Sequence, residues 1–223
     1  MTVAGTALQG RTFAAVLFDM DGTLLSSIAA VERAWTTLAH ELSIPGERFG
    51  DFHGMPARDL LEALMPDRSA QERREALDRV GALELADVDG IEVLPGAAEA
   101  LRLLSPGLCA IVTSSTTALA AVRLRAAGLP TPDVVVTVDD VVVGKPDPAP
   151  FLLAAKRLGV DPAHCLVVED ATAGIAAGRA AGSATLALTT TYPAGLITGD
   201  LVVPDLASVQ FSAVEGGVRV DVR

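Results

Sequence analysis

Only two of the chain's seventeen lysine and arginine residues are lysines, Lys145 and Lys156. It has just three histidines, two cysteines, one tryptophan and one tyrosine in 223 residues. Histidines this few and scattered, at His40, His53 and His164, cannot build a histidine metal site. Basic charge is short overall. A net charge of −11 and a pI near 4.6 argue against a nucleic-acid backbone or an anionic membrane surface as partner. No apolar run approaches the ~20 residues that a transmembrane helix needs. Met1 to Arg11 lacks the charged-then-apolar pattern of a signal peptide and reads as a short loose lead-in. Cys109 and Cys165 fall in apolar, strand-like runs, so they read as buried thiols rather than a bridge, in keeping with a reducing cytoplasm. Half of the residues are hydrophobic, enough for a sizeable core in one domain with an insertion, or in a large and a small domain.

From Leu94 onward, short apolar runs alternate with alanine-rich amphipathic stretches. Strands are predicted at Leu108–Thr113, Val134–Thr137, Leu166–Glu169, Thr185–Leu188 and Leu201–Val203. Helices are predicted at Ala97–Leu104, Thr116–Ala127, Pro148–Leu158 and Thr172–Ala181, with Gly128, Gly159 and Gly182 ending three of them. This alternation predicts an α/β fold, a parallel sheet with helices on both faces. Gly216-Gly217, between Val209–Ser212 and Val218–Val222, predicts a terminal hairpin. Residues 28–92 differ. Ile28–Leu42, Ala57–Leu64 and Ala70–Leu85 carry helical periodicity with no strand candidate between them, as a helical insertion after the first strand.

Ligands of open α/β sheets bind at the carboxyl ends of the strands, and four such ends carry reactive groups. The apolar run Phe13 to Phe18 ends in Asp19-Met20-Asp21-Gly22-Thr23. Two carboxylates at the rim of a core need a counter-charge, which a divalent cation supplies, and that cation attracts phosphate. Asp19 then suits a nucleophile that becomes an aspartyl phosphate, and Asp21 a general acid/base. A calcium loop does not fit, because its further ligands and closing glutamate are missing. The second end, Thr113-Ser114-Ser115-Thr116, offers hydroxyls and N–H groups for an anion, or a plain helix cap at Ser115 or Thr116. The third, Gly144-Lys145-Pro146-Asp147-Pro148, spends a scarce lysine in a turn stiffened by prolines. Either the ammonium faces a fixed charge or it is a solvated turn lysine; it is not a P-loop lysine, since Pro146 stands where Ser or Thr is required. The fourth, Glu169-Asp170, sets two adjacent carboxylates at a strand end, for a cation or for the start of an acidic helix. Taken together, the four converge on one metal-assisted phosphate site.

FDMDGT, IVTS, GKPDPAPF and VVEDATAGIAAGRAAG, in this order and spacing, resemble the four motifs of the haloacid dehalogenase-like superfamily from Phe13 to about Leu188. The resemblance implies a Rossmann-like core and an essential Mg²⁺. Asp19 would be nucleophile and metal ligand; Asp21 would be acid/base, with its backbone carbonyl also on the metal. Thr113 and the Ser114 amide would hold phosphate, Lys145 would neutralise it, and Asp170 with Glu169 would complete the metal site. It further implies a discontinuous core of residues 12–27 and 93–223, and a helical cap of residues 28–92. His53-Gly54-Met55-Pro56-Ala57-Arg58 would face the site from that cap. Arg58 is the best candidate for substrate contact, beside His53 and Gly54, although an exposed first-turn arginine would look the same. Trp35 and His40 are expected in cap packing.

Among the chemistries of this superfamily, dehalogenation does not suit the presence of Asp21. Phosphonate cleavage needs a cap lysine, and residues 28–92 contain none. The β-phosphoglucomutase type is the rival, but its first cap helix carries a histidine where this chain has about Val31, and its cap lysine is missing. SSIAAVERAW, FHGMPARD and IVTSST resemble instead the phosphatases of small sugar and polyol phosphates, such as the 2-deoxyglucose-6-phosphatase and glycerol-phosphatase group. The expectation is a cytoplasmic Mg²⁺-dependent phosphatase, a monomer or weak dimer whose partner is a small phosphorylated metabolite, with no nucleic acid and no membrane. A non-catalytic phosphoacceptor of the receiver type would place its acidic pair first and its lysine last, but here Lys145 precedes Glu169-Asp170.

Overall fold

The computed structural model describes residues 8–44, 57–104 and 106–223. The chain divides into two compact units, Met1–Ser26 with Glu92–Arg223, and Ser27–Ile91.

The larger unit is built on strands β1 (Arg11–Phe13), β2 (Ala15–Phe18), β3 (Leu25–Ser26), β4 (Glu92–Val93), β5 (Cys109–Val112), β6 (Val135–Val136), β7 (Cys165–Glu169), β8 (Ala184–Leu188), β9 (Leu201–Val203), β10 (Val209–Val214) and β11 (Gly217–Val222). Among the described residues a six-stranded sheet runs in the order β6-β5-β2-β7-β8-β9, every neighbouring pair parallel. This is the Rossmann-like α/β architecture that strand–helix alternation predicts. The sheet is dry on both faces. Ala15, Leu17, Ala110, Val112, Cys165 and Val167 point one way, against Phe151, Ala154, Ala155 and Ala177 of the covering helices. Val16, Phe18, Ile111, Leu166 and Val168, of opposite parity, are also fully buried. Each large side chain withdrawn from water here contributes about 1.5–3 kcal/mol. Burial also pushes the Cys109 and Cys165 thiols up to about 11, with Asp161 adding to the shift at Cys165, so neither is a ready nucleophile.

Two features differ from the sequence expectation. The run Phe13 to Phe18 is not one strand: it breaks at Ala14, and β1 joins β11 and β10 in a separate antiparallel sheet. Gly217 makes the crossing possible, because a Cβ there would lie 1.9 Å from the Phe13 carbonyl oxygen. Phe211 of β10 meets Phe18 edge-on, with ring centroids 5.7 Å apart, so this small sheet helps cover the main one. Nor is the lead-in loose throughout. Leu8 is fully buried, and the Gly10 N–H bonds the Val220 carbonyl at 2.8 Å.

Among the described residues four helices of this unit connect and cover the sheet, α4 (Ala97–Leu103), α5 (Thr117–Ala127), α6 (Ala149–Leu158) and α7 (Thr172–Ala180), together with short 3₁₀ turns. Gly128 and Gly159 end α5 and α6 in the left-handed conformation, where glycine carries no Cβ penalty. The antiparallel pair β3–β4, with Leu25 opposite Val93, closes the base of the insertion.

The smaller unit consists of α1 (Ile28–Leu42), α2 (Ala57–Leu64) and α3 (Ala70–Ala86) among the described residues. Their apolar stripes meet in a core of Ala34, Trp35, Leu38, Leu60, Leu61, Leu64, Met65, Ala76 and Val80. Ser69 and Glu72 form a capping box at the start of α3. Trp35 packs as expected, but His40 is exposed and takes no part in that core, because it lies off the stripe of Ala34, Trp35, Leu38 and Ala39. Among the described residues no helix is long and apolar enough to cross a membrane.

Candidate active site

Strand β2 runs through the middle of the sheet with every residue buried, and its ladder continues one residue further, where the Asp19 N–H bonds the Val168 carbonyl at 2.9 Å. Asp19 is therefore held at the carboxyl end of the central strand, almost fully buried. The chain then turns sharply. Met20 is buried, and its carbonyl accepts the N–H of Leu24 at 2.8 Å. Gly22, at φ +87°, allows the turn, and a Cβ there would lie 2.0 Å from Asp170 Oδ2. Asp19 and Asp21, two residues apart, are thereby delivered to the same end of the sheet.

Lys145 reaches this point from the loop before α6. Its Nζ donates to Asp19 Oδ1 at 2.6 Å, to Glu169 Oε1 at 2.6 Å and to the Val112 carbonyl at 2.7 Å. Burial opposes the charged form of Lys145, but the carboxylates of Asp19 and Glu169 outweigh it, and the ammonium holds its proton more tightly than usual. Glu169 closes β7. Its Oε2 accepts the N–H groups of Asp170 and Ala171, both at 3.1 Å, at the head of α7. Asp170 Oδ1 accepts the Thr23 hydroxyl at 3.2 Å, and Thr191 also bonds this carboxylate.

Asp19, Glu169 and Asp170 offer oxygens that all lie within 4.8 Å of one another. Burial, reinforced by Glu169 and Asp170, raises Asp19 well above the usual carboxylate range, which Lys145 only partly offsets. Burial and Glu169 push Asp170 up to about 7, against the opposing effect of Thr191, Lys145 and Thr23. When all three carboxylates are ionised, one ammonium leaves two negative charges uncompensated, and burial together with this excess raises Asp19 and Asp170 in the metal-free protein. Oxygen donors alone, in a buried acidic cluster, fit a hard divalent cation.

The loop after β5 completes the site. Thr113 is buried, Ser114 is exposed at the surface, and the Ser115 N–H bonds Thr113 Oγ1 at 3.1 Å. Helix capping falls to Thr116, whose hydroxyl accepts the Leu119 N–H at 3.3 Å. Ser115 instead donates its hydroxyl to Asp21 Oδ2 at 3.1 Å. On the other oxygen, Arg123 Nη1 of α5 lies 3.0 Å from Asp21 Oδ1.

Of the residues singled out from the sequence, the structure gathers Asp19, Lys145, Glu169 and Asp170 into one cluster, and places Asp21, Thr113 and Ser114 on the adjoining loops. Arg58 is an exposed residue of the first turn of α2, in the other unit. His53 and Gly54 lie outside the described residues. Sequence reading missed Thr191 and Arg123, gave Thr23 no role, and took Ser115 for an anion donor or a helix cap rather than a partner of Asp21. For Arg123 a signal existed: it shares the helical spacing of Leu119, Ala120 and Leu124, a charge on the buried face of α5.

A buried aspartate at the end of the central strand, with a lysine from the loop before α6 and two further acids from the end of β7, places this chain among Rossmann-like enzymes that work at the carboxyl edge of the sheet. Within that class it belongs to the haloacid dehalogenase-like hydrolases, whose family model matches residues 13–182. The chain is 41% identical over 175 residues to hexitol phosphatase A of Escherichia coli (strain K12), covering 77% of this chain and 81% of that protein. It is 32% identical over 218 residues to 2-deoxyglucose-6-phosphate phosphatase 1 of Saccharomyces cerevisiae, covering 86% and 88%. The solved structure of a hydrolase from Pseudomonas syringae matches with a TM-score of 0.73 at 28% identity, over 86% of this chain and 94% of that one.

Proposed function

We propose that this protein is a Mg²⁺-dependent phosphatase of small sugar or polyol phosphate monoesters, working through a phosphoryl group carried on Asp19. The observation that carries this reading is the pairing of buried Asp19 with Lys145 and two more carboxylates beside the hydroxyl-rich turn after β5. The names of the relatives, a hexitol phosphatase and a 2-deoxyglucose-6-phosphate phosphatase, support the ester class.

The ester phosphate enters at Thr113, Ser114 and Lys145, whose hydroxyl, amide and ammonium offset its charge. Asp19, Glu169 and Asp170 would hold the cation, which when bound draws charge off the phosphoryl oxygens and orients them. An Asp19 carboxylate oxygen attacks phosphorus as the ester P–O bond breaks, and Asp21 gives the leaving oxygen its proton. Asp21, now a carboxylate, takes a proton from water, which attacks the Asp19 phosphoryl group and releases inorganic phosphate. The helical unit is proposed as a cap that excludes water and reads the rest of the ester, with Arg58 as its specificity contact.

A phosphate-release screen with Mg²⁺ across sugar, polyol and glycolate phosphates tests this reading. Release from hexitol or sugar phosphates, lost on chelation and restored by Mg²⁺, is the expected result. No release from any ester would remove the reading. Glucose 6-phosphate formed from β-glucose 1-phosphate would replace hydrolysis by the mutase reaction.

A further inference from the structure

Each of the two alternating carboxylates pairs with a different buried cation: Asp19 with Lys145, which it shares with Glu169, and Asp21 with Arg123. The cation of the second pairing, Arg123, lies outside the four motifs. Arg123 is only 5% exposed, in the middle of α5. Withdrawing a guanidinium from water is costly unless its partners are well placed. Here it donates to Asp21 Oδ1 at 3.0 Å and to Ser115 Oγ at 3.3 Å, while Ser115 Oγ donates to Asp21 Oδ2 at 3.1 Å. The three groups close a triangle in which both oxygens of Asp21 are held.

We propose that Arg123, with Ser115, is a positioning clamp that locks the Asp21 carboxyl group in register with the phosphate-holding turn. This inference rests on the hydrolytic reading above. Asp21 sits in a turn with its side chain 27% exposed, where a carboxylate without restraint would sample several rotamers. Ser115 belongs to the turn that includes Thr113, to which its own N–H is bonded at 3.1 Å. The clamp therefore fixes the distance from the proton donor to the turn that receives the phosphoryl group. Each carboxylate oxygen has two lone-pair directions, so one hydrogen bond per oxygen leaves room for the proton that Asp21 must carry. In the first step that proton passes from Asp21 to the bridging ester oxygen as its bond to phosphorus breaks and the Asp19 oxygen–phosphorus bond forms. Arg123 keeps its own protons throughout.

Leaving groups separate this role from a merely structural one. An alkoxide leaves only if it is protonated, whereas 4-nitrophenolate leaves without help. Single turnovers with enzyme in excess, read as release of the alcohol or phenol, isolate this step from hydrolysis of the phosphoenzyme. Arg123→Met should slow alcohol release from a polyol phosphate about 100-fold, in the range that general acid catalysis supplies, and 4-nitrophenol release by less than about fivefold. The enzyme concentration giving half-maximal rate should hardly change for either ester. Arg123→Lys, which restores a cation without the fork, should recover part of the loss. Ser115→Ala should show the same split more weakly; if Arg123→Met does not fold, this variant and Arg123→Lys are read by the same criterion. Equal slowing of both esters, or an unchanged polyol phosphate rate, would overturn the clamp. Wild-type protein that turns over neither ester would instead remove the hydrolytic reading itself, and the clamp with it.

Discussion

Lys145 Nζ lies 2.6 Å from Asp19 Oδ1, across a separation of 126 residues in the chain, and the same ammonium reaches Glu169 Oε1 at 2.6 Å. One cation thus ties the end of β2 to the end of β7. All three side chains are nearly inaccessible to water. Removing one partner of such a group leaves uncompensated buried charge. Lys145→Ala should therefore lower the unfolding free energy of the metal-free protein by about 3–5 kcal/mol. Urea denaturation in chelator measures this, and Mg²⁺ should return part of the loss. A variant as stable as wild type would show that the carboxylates simply take up protons.

Asp19→Asn keeps the size of the side chain and removes both the charge of the proposed attacking oxygen and one charge of the proposed cation site. Phosphate release should fall below detection while the denaturation curve keeps its cooperativity. Wild-type turnover in this variant would assign the chemistry elsewhere.

Metal-free stability should also depend on pH through Asp170, pushed up to about 7 chiefly by burial. An acid whose folded pKa exceeds its unfolded value binds more protons when folded. Its contribution to stability is full below about pH 4 and is lost as the pH rises to about 7. Measured as wild type minus Asp170→Asn, which cancels the other groups, stability in chelator should decline across that window and level off above it. Saturating Mg²⁺ should abolish the decline, because a bound cation favours the carboxylate. A difference that is flat in chelator would contradict the burial argument.

Gly174 sets helix propensity against the site. In a helix interior, alanine is favoured over glycine by about 1 kcal/mol. A Cβ on Gly174, however, would lie 1.7 Å from Glu169 Oε1. Gly174→Ala should therefore destabilise the protein by about 1–3 kcal/mol, as overpacking does. It should also raise the Mg²⁺ concentration needed for half-maximal activity, since Glu169 must move. A stabilised variant would mean that Glu169 yields freely.

Arg58→Ala should lower kcat/KM for a polyol phosphate by about 1.5–3 kcal/mol, the size of a charge-assisted contact. The rate with 4-nitrophenyl phosphate should hardly change. Equal effects on both esters would take Arg58 out of specificity.

The segments at the ends of β2, β5 and β7 were legible from residue type and position alone, and so was Lys145, although it stands in the loop before α6 and not at a strand end. A carboxylate where an apolar strand stops, or a scarce lysine just ahead of two prolines, is a local conflict between burial and charge. Such conflicts show in one dimension. Asp19, Lys145, Glu169 and Asp170 stood out for this reason, and the helix stripes of α1, α2 and α3 followed from periodicity. Tertiary structure alone decided the partnerships. Nothing near Asp21 in the chain points to Arg123, 102 residues on, because an arginine on a helix is ordinary until its face is known to be buried. Nor does the continuous run Phe13 to Phe18 disclose a break at Ala14. Local hydrophobicity would extend that strand; the break falls where β1 pairs with β11, and Gly217, lacking a Cβ, leaves the space that the Phe13 carbonyl occupies.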